Sequence, residues 1–168
     1  MAKTFHLEII ATDRVFFEGE VEHLVITAID GLLGILPGHE PLVTCLPTGE
    51  LKYMVNGKWK YAAISEGFIQ VMPESSIILA DTCELPEEID IKRAEAAKER
   101  AEEQLRQKQS IKEYYQTQAA LNRAMNRLKI SQKHFKWRSD NRKQQRRHYT
   151  ALYLSEIEVW NSILLSAF

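Results

Sequence analysis

Cysteine is nearly absent: Cys45 and Cys83 are the only two in 168 residues, and they have no paired spacing. The chain therefore offers no disulfide framework and suits a reducing compartment, with one bond between the two thiols left open. Neither sign of charge dominates. The 22 Lys and Arg against 23 Asp and Glu give a formal net charge of −1, which argues against a globally nucleic-acid-like protein. No apolar run approaches the ~20 residues that cross a bilayer as a helix. The start, Met1-Ala2-Lys3-Thr4-Phe5, lacks the apolar stretch of a signal peptide. The expectation is a soluble, cytoplasmic chain whose link to any membrane runs through a partner. Glycine and proline are scarce as well, and unevenly placed: the last glycine is Gly67 and the last proline Pro86.

That unevenness divides the sequence. Up to Pro86 it reads as short strands broken by turns. Phe5, Leu7 and Ile9 alternate with polar neighbours, as a half-buried strand requires, and the β-branched run Val21–Ile29 suits a more deeply buried one. Leu51–Val55 and Lys58–Ile64 flank Asn56-Gly57, a type I′ turn signal. Phe68–Met72 and Ser76–Ala80 pair around Pro73-Glu74-Ser75. Many short strands without intervening helices predict a β-sandwich or flattened barrel over residues 1–86. The stretch from Asp30 to Leu42 reads as a purposeful loop, with three glycines, two prolines and the apolar residues Leu32, Leu33, Ile35 and Leu36. His39 within it has no second ligand at metal spacing and no nucleophile nearby, so a turn histidine bonded to backbone is the better reading.

Beyond the seam, Ala, Glu, Lys, Arg and Gln predict helices. Asp90 suits an N-cap, and Ala94, Ala97, Ala101 and Leu105 recur on one face at three- and four-residue spacing. A second helix is expected over about 111–130, with Tyr114, Leu121, Met125 and Leu128 on one face and Ala120 and Ala124 beside it. Between them, Gln107–Lys112 holds no helix breaker. Ser110 can cap a second helix, yet a continuous helix costs little. A hairpin and an extended arm are both open.

Arg93 and Arg100 lie seven apart on the first helix, and Arg123 and Arg127 four apart on the second. Folded antiparallel, the helices can bring the four guanidinium groups together around an anion, and guanidinium forks suit phosphate oxygens. The competing reading is a solvated face paired with Glu95, Glu99 or Glu103. Without a Gly-rich phosphate loop, a phosphate ligand would be sensed rather than hydrolysed.

Several segments resemble the bacterial ATP synthase epsilon subunit over about residues 4–130: Gly34-Ile35-Leu36-Pro37-Gly38-His39 with Pro41-Leu42; Ser65-Glu66-Gly67-Phe68; and Ala119-Ala120-Leu121-Asn122-Arg123-Ala124 followed by Asn126-Arg127-Leu128. The resemblance implies a ten-stranded sandwich (1–86) and a two-helix hairpin (87–130). It implies a non-catalytic rotor subunit of the central stalk that couples the gamma subunit to the c ring, at the cytoplasmic face of the bacterial plasma membrane. The helices would fold against the sandwich or extend into the catalytic alpha/beta hexamer and block ATP hydrolysis. Some members bind ATP as a regulatory ligand through an Ile/Leu-Asp-x-x-Arg-Ala motif. Ile89, Asp90, Arg93 and Ala94 match it, and Glu84, Arg100, Arg123 and Arg127 match the accompanying positions. The carboxylates would address adenine or ribose and the arginines the phosphates; no other cofactor and no metal is implied. Leu32 and His39 fall in the segment expected to touch the c ring. Three positions depart from the family: Leu32 stands where an acid is common, Glu66 replaces a glycine, and Ala11-Thr12 stand for Thr-Pro.

Residues 131–168 exceed the family pattern. Lys133, Lys136, Arg138, Arg142, Lys143, Arg146 and Arg147, interleaved with Phe135, Trp137 and Tyr149, suit RNA or anionic lipid, or a basic linker. Tyr149–Leu165 can form a short amphipathic helix. The family role calls for no nucleic acid and no direct membrane insertion. The tail keeps an RNA- or anionic-surface-binding adaptor open as the alternative, beside a purely structural rotor subunit.

Overall fold

The computed structural model describes residues 3–107 and 110–134; the expectations for the tail from Phe135 onward lie outside the described residues. Ten strands form two five-stranded sheets. The first has the order β2 (Val15–Val21), β1 (Phe5–Ala11), β9 (Ser75–Ala80), β8 (Gly67–Val71), β5 (Leu42–Leu46). The second runs β10 (Cys83–Glu84), β7 (Lys58–Ile64), β6 (Gly49–Val55), β3 (His23–Ala28), β4 (Gly31–Ile35). All pairings are antiparallel except β1 with β9.

Period-two patterning builds the core. In β1, Phe5, Leu7, Ile9 and Ala11 are buried while the residues between them are only partly so. Beside them in the same sheet lie Ile69, Val71 and Ile78, and the other sheet supplies Leu24 and Ile26 of β3 and Leu51 and Tyr53 of β6. Each Leu, Ile, Val or Phe among them contributes about 1.5–3 kcal/mol on leaving water. Asn56 and Gly57 both take positive φ, 51° and 70°, which is the type I′ turn expected between β6 and β7. Both cysteines are free thiols. Cys45 is exposed, while burial pushes the Cys83 thiol up to about 12 and keeps it neutral.

The structure corrects the reading of Asp30–Leu42 as one loop. Gly31–Ile35 is a strand paired with β3 from Ala28↔Gly31 to Leu24↔Ile35. Its exposed Leu32 and Gly34 hid the alternation, because an edge strand buries little. Strand β2 went unread for a similar reason: Val15, Glu18 and Glu20 are exposed and only Val21 is fully buried. Glu66, in place of a glycine, is exposed and takes no positive φ, so this turn does not need a glycine there.

Helix α1 spans Ile91–Arg106, and helix α2 occupies 111–134; the two form a hairpin. Ser110 starts α2 with a capping box. Its backbone N–H and hydroxyl donate to Glu113 Oε2 at 2.9 and 2.8 Å, and Ser110 Oγ accepts from Glu113 N–H at 3.3 Å. That reciprocal cap decides against a continuous helix. The small-residue stripe is buried at Ala94 and Ala101 on α1 and at Thr117, Ala124, Ile130 and Ser131 on α2. Tyr114 and Met125, expected to share one face of α2, are 48% and 50% exposed. Burial follows the smaller Ala124 side, because short side chains let two helix backbones approach closely.

Candidate functional site

The strongest polar contacts between helix and sandwich meet at one end of the second sheet. The Arg127 guanidinium of α2 forks onto the Glu84 carboxylate of β10, with Nε to Oε2 at 2.5 Å and Nη2 to Oε1 at 2.9 Å. Both side chains are only 30% exposed, so the pair is partly shielded and geometrically specific. One residue earlier, Asn126 Nδ2 donates to the carbonyls of Gly49 at 2.8 Å and Ile64 at 3.4 Å. Below them, buried Ile130 packs with Ala63 and Ile89.

Arg123, Asn126, Arg127 and Glu84, with Thr48 and Ser65, line a narrow cleft that leaves only about 10 Å³ of free internal volume. Thr48 Oγ1 is buried with no hydrogen-bond partner among the described residues. A nucleotide needs a pocket of roughly 300 Å³ or more, so ATP enters here only if the helix or the Glu84–Arg127 pair shifts.

The structure thus brings Glu84, Arg123 and Arg127 into one place. Arg93 and Arg100 are exposed on α1 and do not line that cleft. Arg100 Nε donates to its own helix at Ala96 O, 3.2 Å. Among the described residues, Arg93, Arg100 and Arg123 form no salt bridge with a carboxylate; the pairs on α1 are instead Lys98–Glu102 and Arg106–Glu103. Asp90 caps α1, with Oδ1 accepting from Arg93 N–H at 3.0 Å. Ile89 and Ala94 are buried and position the backbone around that cap.

Sequence reasoning passed over the anchor of the linker. Arg14, in the turn between β1 and β2, holds Glu88 with Nη2 to Oε2 at 2.7 Å. The same carboxylate oxygen accepts from Leu85 N–H at 2.9 Å, and Glu88 N–H donates to Leu85 O at 3.0 Å. Residues 85–88 are a closed turn tied to the sandwich, and Ile89 and Asp90 connect that turn to α1. The bond from Arg14, then that from Leu85, holds the Glu88 carboxyl below its ordinary 4.5. A depressed folded value means that the clasp contributes fully above 4.5 and is lost as pH falls through the lowered value. An NMR titration of the Glu88 carboxyl should therefore place its midpoint below 4.5. In Arg14→Ala the midpoint should move back up; an unmoved midpoint would show that Arg14 does not hold it.

Two exposed regions complete the candidate surfaces. On the outer face of the first sheet, Val43, Phe68, Met72 and Ile77 are 69%, 46%, 44% and 36% exposed. Adjacent outward rows run Cys45↔Phe68, Phe68↔Leu79 and Leu79↔Ile10. At the β3–β4 tip, Ile29 and Leu32 are 75% and 72% exposed. His39 lies beyond the other end of β4, so the strand separates it from Leu32. Its Nδ1 donates to Glu40 O at 2.7 Å, and Gly38 just before it has φ +82°; His39 is the backbone-bonded turn histidine expected. Among the described residues there is no His, Cys, Asp and Glu group that could hold a metal ion, and no helix long and apolar enough to cross a membrane.

Comparison with known proteins agrees with this geometry. The family model of the ATP synthase delta/epsilon chain β-sandwich domain matches residues 4–86, and that of the same chain's long α-helix domain matches 87–132. The ATP synthase epsilon chain of Caldanaerobacter subterraneus subsp. tengcongensis is 51% identical over 135 residues, covering 80% of this chain and 98% of that one. That of Ruminiclostridium cellulolyticum is 49% identical over 125 residues, 74% and 93% of the two chains. Among solved structures, a chain of the Euglena gracilis mitochondrial ATP synthase (OSCP/F1/c-ring) aligns with a TM-score of 0.63 at 27% identity, covering 71% of this chain and 76% of that one. A chain of the Tetrahymena thermophila enzyme's central stalk and c-ring shares the fold, with a TM-score of 0.55 at 13% identity over 77% and 97% of the chains.

Proposed function

Because the chain belongs to the delta/epsilon family of ATP synthase subunits, as a non-catalytic epsilon chain of the central stalk, we propose that its hairpin is a regulatory arm whose folded state ATP stabilises. Undocked about Ile89 and Asp90, the arm extends toward the catalytic alpha/beta hexamer and inhibits ATP hydrolysis. The gamma subunit docks on the outer apolar face around Val43, Phe68 and Ile77, and the c ring is met by the exposed tip at Ile29 and Leu32. The site of action is the cytoplasmic face of the bacterial plasma membrane, reached through the complex.

The observation that carries the ATP reading is the gathering of Glu84, Arg123 and Arg127 at the hairpin–sandwich contact, with Arg93 and Arg100 on α1 forming no salt bridge among the described residues. ATP that binds only the folded form stabilises it by RT ln(1 + [L]/Kd), about 2.7 kcal/mol at a hundredfold excess. Calorimetry of the full chain should show saturable ATP binding. In the assembled synthase, deleting residues 88–168 should raise hydrolysis. Unchanged hydrolysis would leave a structural rotor subunit without a regulatory arm, and no heat at millimolar ATP would remove the sensor.

A further inference from the structure

We infer that Asn126 is the positioning residue that keys the hairpin onto the sandwich, and that it sets the population of the docked state with or without nucleotide. Gly49 and Ile64, whose carbonyls it reaches, are directly paired residues at the end of the β6–β7 ladder. Ile64 also pairs with Cys83 of β10, so the side chain reads the junction of three strands. Both partners are acceptors, so only the amide nitrogen can face them, and its two hydrogens suit two carbonyls.

No other polar side chain does this in the same space. Aspartate has the same shape but would aim a carboxylate at two carbonyl oxygens. Alanine leaves the two carbonyls without these donors. The neighbouring Arg127–Glu84 fork ties α2 to β10 alone, whereas Asn126 ties it to the β6–β7 pair, and the two contacts together fix register and roll of α2. Gly49 is tightly enclosed too: a Cβ there would lie 2.5 Å from Thr27 Cβ. The acceptor wall is therefore held in place on its other side.

The consequence for ligand response rests on the proposed ATP-stabilised arm. Asn126 lines the same cleft as Arg123 and Arg127, but its amide nitrogen is committed to the Gly49 and Ile64 carbonyls, so its loss acts chiefly through the docked fraction. Apparent nucleotide affinity then falls in proportion to that fraction.

The test uses the full chain with spin labels at Lys58→Cys and Lys129→Cys, both exposed positions, and Cys45→Ser. Without nucleotide, the parent should give one dominant short distance. Asn126→Asp should lower that population about tenfold, since two bonds become two repulsive contacts, and Asn126→Ala should lower it less. Helix content and sandwich melting should hold in the alanine variant, which separates undocking from unfolding. If both variants keep the parent's distance distribution, the inference falls. Titration with MgATP forms a second arm: the docked fraction of Asn126→Ala should recover at saturation, with an apparent Kd weakened by the factor lost from the docked state. A parent chain that does not respond to ATP overturns the sensor reading, while the nucleotide-free distances still decide the role of Asn126.

Discussion

Gly67→Ala should destabilise the sandwich by about 3 kcal/mol, at the upper end of overpacking costs, and lower its melting temperature by roughly 12–24 °C. Gly67 sits where β8 is paired on both sides, with Ala80 of β9 and Leu46 of β5. A Cβ there would stand 2.1 Å from the carbonyl oxygen of Leu79 and 2.8 Å from Ala80 Cα. Those are backbone atoms of a strand bonded on both edges, so relief requires moving the sheet rather than turning a side chain. Calorimetric melting of the variant would decide it, and a midpoint within 3 °C of the parent would show that β9 gives way easily. The exposed Glu66 next door provides the control: Glu66→Gly should change stability little, because its backbone is ordinary.

The other large effect is expected at Arg127. Arg127→Ala removes the fork to Glu84 and leaves that carboxylate, 30% exposed, without its cation. Under the proposed ATP sensing, it also removes a phosphate partner. Charge-assisted hydrogen bonds contribute about 1.5–3 kcal/mol, so ATP affinity should fall about 10- to 100-fold. Arg127→Lys keeps the charge but not the fork and should recover only part of the loss. Calorimetry at several ATP concentrations measures this directly. An alanine variant that binds ATP like the parent would remove Arg127 from the sensor without touching the family assignment.

The two-sheet core was legible because β1, β3 and β6 bury every second residue, and period two is a local signal. Asp90 and the Asn56-Gly57 turn were legible for the same reason, since each acts within four residues of chain. Strands β2 and β4 were not, because edge strands expose the residues that would mark their alternation. Glu113 is within reach of sequence too: a Ser followed three residues later by Glu is a helix-start pattern. The pairing of Glu84 with Arg127 spans 43 residues, too far apart for any local pattern to show it. Asn126 left no trace in the pattern, since its partners are backbone carbonyls brought to it by the finished sheet. Arg14 and Glu88, 74 residues apart, are likewise a product of topology.

The parallel pairing of β1 with β9 has a consequence for how the protein is made. Residues 6–11 find their central-sheet neighbour only in residues 75–80. During synthesis at about 5–20 residues per second, the first strand waits roughly 4–14 s with one edge open. Through that interval β2 is its only available companion, so a ribosome-bound chain stalled before residue 75 would present an apolar, half-paired hairpin to chaperones. Synonymous codon changes that slow translation across residues 60–75 should then lower soluble yield while leaving the finished protein's stability unaltered.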